Sequence, residues 1–182
     1  MSFLADDVLL EKFREESTKE SAFTEIIKKY QERLYWHIRR MVVEHEDAND
    51  VMQNVFIKVW KGLENFRADS QLFTWLYRIA TNECLSFLDS KKKKTAVSLS
   101  DHEEGLANKV KADKHFDPNK LEWKLQLAIQ KLPEKQRLVF SLRYYDEMPY
   151  EEMSRILDTS EGALKASYHH AVKKVEEFIL NN

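Results

Sequence analysis

An almost entirely helical chain, divided into two small domains by a flexible linker, is predicted by three observations. Glycine and proline are scarce, three of each in 182 residues, and turns and hairpins depend on those residues. Charged residues make up 33% of the chain, with many Glu, Lys, Leu and Ala, a composition that favours helix. From Lys92 to about Pro118 the hydrophobic periodicity fades into a polar stretch that ends in proline, as a tether would. The expected layout is a domain over residues 1–91, a linker over 92–118 and a domain over 119–182.

With 43% hydrophobic residues the chain can bury a core, which argues against wholesale disorder. The net charge is −2, which does not favour a general nucleic-acid binder. Its distribution is uneven. Residues 1–90 hold 12 Lys/Arg against 16 Asp/Glu, residues 91–118 hold 7 against 5, and residues 119–182 hold 10 against 10. Basic charge is therefore local, at Lys91 to Lys94 and at Lys165, Lys173 and Lys174. The single cysteine, Cys84, excludes an internal disulfide and a cysteine-based zinc cluster. The N-terminus MSFLADDVLLEKFREES carries acids where a secretory signal needs positive charge. No apolar run nears the roughly 20 residues of a membrane span. A cytoplasmic protein with no membrane insertion is expected.

The elements follow in order. Over 21–43, Phe23, Ile26, Ile27, Tyr30, Leu34, Ile38, Met41 and Val42 recur at helical spacing. Ser21 or an earlier polar residue is expected to cap this helix, and Arg39 and Arg40 suit its negative end. The next helix starts with Asp47 as cap and runs to residue 64, with Ala48, Val51, Met52, Val55, Val59 and Leu63 as its apolar stripe. Asp50, Gln53, Asn54, Ile57 and Lys61 share the opposite face. An isoleucine among polar residues there suits a docking surface; a solvated face with one apolar residue is the plainer alternative.

NFRADS breaks the chain again, with Asp69 and Ser70 placed to cap a helix over 71–89 that buries Leu72, Leu76, Ile79, Ala80 and Phe87. Another side carries Trp75, Arg78 and Asn82, with Phe73 and Tyr77 close by. Rings beside arginine and asparagine offer unpaired bases stacking faces and edge donors, although aromatics also complete helical cores. The lysine run that follows adds contacts for phosphates.

Beyond Pro118, LEWKLQLAIQKL forms a helix, Pro133 opens a second, and a third begins near Pro149. Thr159 and Ser160 make a short turn, and a last helix covers Glu161 to about Leu180. Two helices joined by so short a turn suit a helix-turn-helix unit. The last helix turns Leu164, Tyr168, Ala171, Val175 and Phe178 inward. Gly162, Ala166, His169, His170 and Lys173 lie on its other face, flanked by Lys165 and Lys174, as on a recognition helix in a major groove. A helical scaffold with a solvated basic face is the alternative.

Catalytic motifs are absent: there is no glycine-rich phosphate loop and no nucleophile elbow. His45, Asp47 and Asp50 lack the spacing of a calcium loop. Adjacent His169 and His170 diverge on a helix, and Cys84 reads as a packing residue. No catalytic residue, metal or cofactor is expected.

Taken together, DANDVMQNVF, FRADSQLFTWLYRIATNECLSFL, LPEKQRLVFSLRYYDEMPYEEMSRIL and EGALKASYHHAVKK resemble the extracytoplasmic-function (group IV) sigma factors of the sigma-70 family, from about Phe23 to Ile179. The first two are similar to parts of region 2, a helical bundle, and the last two to region 4, a helix-turn-helix.

The resemblance implies a subunit that directs core RNA polymerase to promoters and stabilises the opened minus-ten strand. Asp47, Asp50, Gln53, Asn54, Phe56 and Ile57 would meet the clamp coiled coil of the polymerase beta-prime subunit. Asn65, Arg67, Asp69 and Ser70, with Trp75, Arg78 and Asn82, would hold the unpaired strand, and Lys91 and Lys92 its phosphates. Lys165, Ala166, Ser167, His169 and His170 would read the minus-thirty-five element, with Lys173 and Lys174 on its backbone. The first region 4 helices would meet the beta flap, and an anti-sigma factor is an implied partner. Asn49 and Asn54 stand where many relatives carry glutamate, and histidines stand where many present arginines. A stand-alone helix-turn-helix regulator is the second reading.

Overall fold

The computed structural model describes residues 3–95 and 120–181, and these form eight helices and no strand. The first half contains α1 (Asp6–Arg14), α2 (Lys19–Val42), α3 (His45–Leu63) and α4 (Leu72–Thr95). The second contains α5 (Lys120–Gln130), α6 (Glu134–Tyr144), α7 (Tyr150–Leu157) and α8 (Glu161–Asn181). Residues 96–118 of the expected linker lie outside the described residues.

The predicted stripes become the core. Ile26, Leu34, Ile38 and Met41 of α2 are buried with Val51, Val55 and Val59 of α3 and with Leu72, Leu76 and Ala80 of α4. In the second half, Ala128, Ile129, Leu132, Phe140, Ala171 and Val175 form a smaller cluster of their own.

Unannounced by the sequence pattern, the acidic N-terminus forms α1, which buries Leu9 and Phe13. Phe13 meets the Trp60 ring edge-on at 5.3 Å, and Asp6 accepts from Lys29 at 2.7 Å and from the Tyr30 hydroxyl at 2.7 Å. Asp47 is not a cap, because α3 already begins at His45 behind Glu44. Lys92, Lys93 and Lys94, expected to open the linker, belong to α4; lysine is a good helix former. Arg40 does more than offset a helix dipole, since it bonds Asp146 of the second half at 3.0 Å.

The α2–α3 joint is abrupt. Val43 sits at φ 72°, ψ −43°, near the strained γ-turn geometry, and the Glu44 N–H bonds to the Val42 carbonyl at 3.0 Å. Between α7 and α8 the reversal falls on Asp158 at φ 49°, and aspartate tolerates that left-handed region better than most residues.

Candidate nucleic-acid and polymerase interfaces

On α3, Asp50, Gln53, Asn54, Ile57 and Lys61 are all exposed, Ile57 by 47%. Phe56 turns away from them, half-buried and edge-on to Phe23 at 6.4 Å. Asp47 also leaves the group, since its carboxylate accepts from Lys91 at 2.5 Å beside Glu44 at 3.0 Å. Burial pulls the Lys91 pKa down, but its bonds to these two carboxylates outweigh that and raise it. A polar contact thus joins the first turn of α3 to the lysine run of α4. Unforeseen from sequence, Trp36 is 48% exposed beside Tyr35. Tyr35 shares a 2.6 Å hydrogen bond with His45, whose other ring nitrogen meets Asn49 at 3.1 Å.

α4 is three-sided. Leu72, Leu76 and Ala80 face the first-half core, while Tyr77, Thr81 and Cys84 are buried on a second side. Arg78 and Asn82 are exposed on the third, with Trp75 half-buried between core and solvent. Tyr77 therefore does not stand beside Arg78 and Asn82; its ring packs 5.0 Å from His37, and burial pushes its phenol well above the ordinary 10.0. Phe73 is half-buried with the Arg33 guanidinium 4.8 Å over its ring. Lys92 reaches Glu134 of the second half at 2.8 Å.

The loop before α4 exposes Asn65, Arg67 and Asp69, with Ser70 half-buried. It is pinned by Phe66, buried at 5.1 Å from the Trp75 ring. Ala68 takes a positive φ of 58°, which bends the loop. Gly62 has a packing reason: a methyl there would meet Trp75 Cζ2 at 2.9 Å.

On α8, Leu164, Ala171 and Val175 are buried. Lys165, Ala166, His169, His170, Lys173 and Lys174 are exposed, with Ser167 half-buried. The Ser160 hydroxyl accepts from the Ala163 N–H at 3.3 Å, capping the helix start. Lys165 pairs loosely with Glu161 at 3.5 Å, and Lys174 donates to Gln136 at 3.0 Å.

These three faces coincide with known regions. The family descriptions "Sigma-70 region 2" and "Sigma-70, region 4" match residues 26–94 and 122–175.

The chain belongs to the sigma-70 family.

It is similar to the ECF RNA polymerase sigma-E factor of Escherichia coli, 30% identical over 185 residues, 95% of this chain and 93% of that one. The RNA polymerase sigma-H factor of Pseudomonas aeruginosa is 30% identical over 164 residues, 86% of this chain and 85% of its own. The fold matches CnrH, solved with the cytosolic domain of CnrY, at TM-score 0.70 and 20% identity over 97% of this chain and 98% of that one. It also matches the sigma factor RpoE of Bartonella quintana, solved with the anti-sigma factor NepR, at TM-score 0.68 and 19% identity over 86% and 96%. This sigma factor is thus of the ECF type, a transcription initiation factor for RNA polymerase. Matches to successive regions in both halves do not favour a stand-alone regulator. Among the described residues, no helix is long and apolar enough to cross a membrane.

Proposed function

We propose that this sigma factor divides its work among the three faces, acts in the cytoplasm and carries no catalytic residue. The exposed side of α3, with Asp50, Gln53, Asn54 and Ile57, docks on the beta-prime clamp coiled coil. Asp47 and Phe56 support that side from its margin, Asp47 through Lys91 and Phe56 through the core. Loop 65–70 and the outer side of α4 hold the opened minus-ten strand. Stacking on an aromatic contributes about 1–3 kcal/mol per base, comparable with the cost of unstacking, and Arg78 and Asn82 supply donors at base edges.

The outward face of α8 enters the major groove of the minus-thirty-five element, where a well-placed base contact discriminates by about 1–3 kcal/mol. Lys173 and Lys174 hold backbone phosphates, and α6 and α7 meet the beta flap. The functional units are those expected at residues 1–91 and 119–182, with α4 carrying the first as far as Thr95. By analogy with the complexes solved for its structural neighbours, an anti-sigma factor is a partner.

The observation that carries this reading is α4. Two of its sides are buried, yet Arg78 and Asn82 stay exposed beside the Phe66-pinned loop. Run-off transcription with purified core polymerase tests it: adding the chain should make initiation promoter-specific and dependent on Arg78 and Asn82. Specific binding to duplex DNA without polymerase, and no gain in initiation, would reverse it.

A further inference from the structure

Lys165 sits in the second turn of α8, and the opening turns of a recognition helix are the part that reaches base edges. A lysine in that place starts at a disadvantage. Its four-carbon stem samples many rotamers, and fixing them on a base costs affinity. An alanine such as Ala166 has no such freedom to lose.

The fold restrains the Lys165 stem before DNA is bound. Its ammonium lies 5.6 Å from the centre of the Tyr150 ring, which belongs to α7, and that distance is within reach of a cation–π contact. Glu161, one turn back on α8, approaches the same ammonium at 3.5 Å, while 59% of the Lys165 side chain stays exposed. The two holders differ in kind. An exposed carboxylate pair is weak and screened by salt, and it competes with a base for the ammonium's hydrogen bonds. The ring attracts the cation through its π face and leaves N–H donors for the groove.

Tyr150 is itself fixed. It opens α7 behind Pro149, whose carbonyl accepts from the Met153 N–H at 3.0 Å. Its ring is half-buried against the core, and the Arg143 guanidinium lies 5.0 Å from the ring centre. Arg143 is committed elsewhere, because its Nη1 donates to the Met148 carbonyl at 3.0 Å. One anchored ring therefore stands beside one cation that is still able to move.

We propose that Tyr150 is a positioning residue for reading the minus-thirty-five element, holding the Lys165 ammonium on the outward side of α8. It touches no base itself and acts through Lys165. The base that suits a lysine best is guanine, whose O6 and N7 are both acceptors on the major-groove edge. The proposal rests on the role given to α8 above.

Holoenzyme assembled from core polymerase and the full chain can be made to select among promoter duplexes randomised over the minus-thirty-five element. Lys165→Met should erase a guanine preference at one position. Tyr150→Leu should weaken that same preference about two- to fivefold, the range of an exposed cation–π contact, and leave the other positions as they are. The double variant should give the Lys165→Met profile, because the ring reaches the bases only through Lys165. Tyr150 also packs on the core, so a shape-conserving pair guards against misfolding. Tyr150→Phe should keep the preference, whereas pentafluorophenylalanine at that position, with its face charge reversed, should weaken it as leucine does. An unchanged preference in Tyr150→Leu, additive effects in the double variant, or equal profiles for the two phenylalanines would overturn the positioning role alone. A Lys165→Met profile identical to the wild type would instead overturn Lys165 as a reader, and the role of Tyr150 with it.

Discussion

Trp75 gains its position from two neighbours, the Phe66 ring at 5.1 Å and the bare backbone of Gly62. Gly62→Ala would gain about 1 kcal/mol of helix propensity against an overpacking cost of about 1–3 kcal/mol, because the indole is wedged and cannot swing freely. The expected outcome is a net loss of up to about 2 kcal/mol with a shifted tryptophan emission. An unchanged spectrum and melting temperature would show that the ring yields without cost. Titration offers a second check at this scale. Burial raises the phenols of Tyr30 and Tyr77 above the ordinary 10.0, and for Tyr30 the bond to Asp6 raises it further. The folded chain then keeps protons that the unfolded chain releases near pH 10, so their contribution is complete below pH 10 and is lost as pH rises above it. Tyrosinate absorbance should show Tyr30 and Tyr77 ionising only as the chain unfolds; two normal ionisations at these sites, seen in Phe-substituted variants, would contradict it.

Individual helices differ in how openly the sequence announces them. α2, α3 and α8 carry long stripes of Ile, Leu, Val and Ala, and every residue they bury was expected inward except Ala22 and His37 of α2, whereas Phe23, Ile27, Met52, Tyr168 and Phe178 stay half-buried. α1 was illegible because nine residues do not form a stable helix alone; it exists through Leu9 and Phe13 docking on aromatic neighbours. Phe56 and Tyr77 show the limit of periodicity. It separates inside from outside for one helix, but not which neighbour covers the inside. The exposed side of α3 has a clear consequence. Asp50→Lys reverses a charge away from the core, so helicity should be retained while core affinity falls about tenfold, in the range of a rim charge at an interface. Equal affinity by titration would remove α3 as the docking element.

For the whole molecule, two helical halves were legible, but their mutual packing was not. The bond between Arg40 and Asp146 spans 106 residues, and nothing local in either segment marks those two side chains as partners. Electrostatics between the halves is likewise a property of the assembled chain. Lys91 faces Asp47 and Lys92 faces Glu134, so part of the basic run expected to meet phosphates is neutralised within the protein. Raised salt should loosen the exposed Lys92–Glu134 pair more than the buried Arg40–Asp146 pair. Cys84, the chain's only cysteine, lies in the cluster that both halves share, close enough to feel the charge of Arg137. It is therefore a native stopwatch. The rate at which a thiol reagent consumes it counts the moments when α4 stands uncovered.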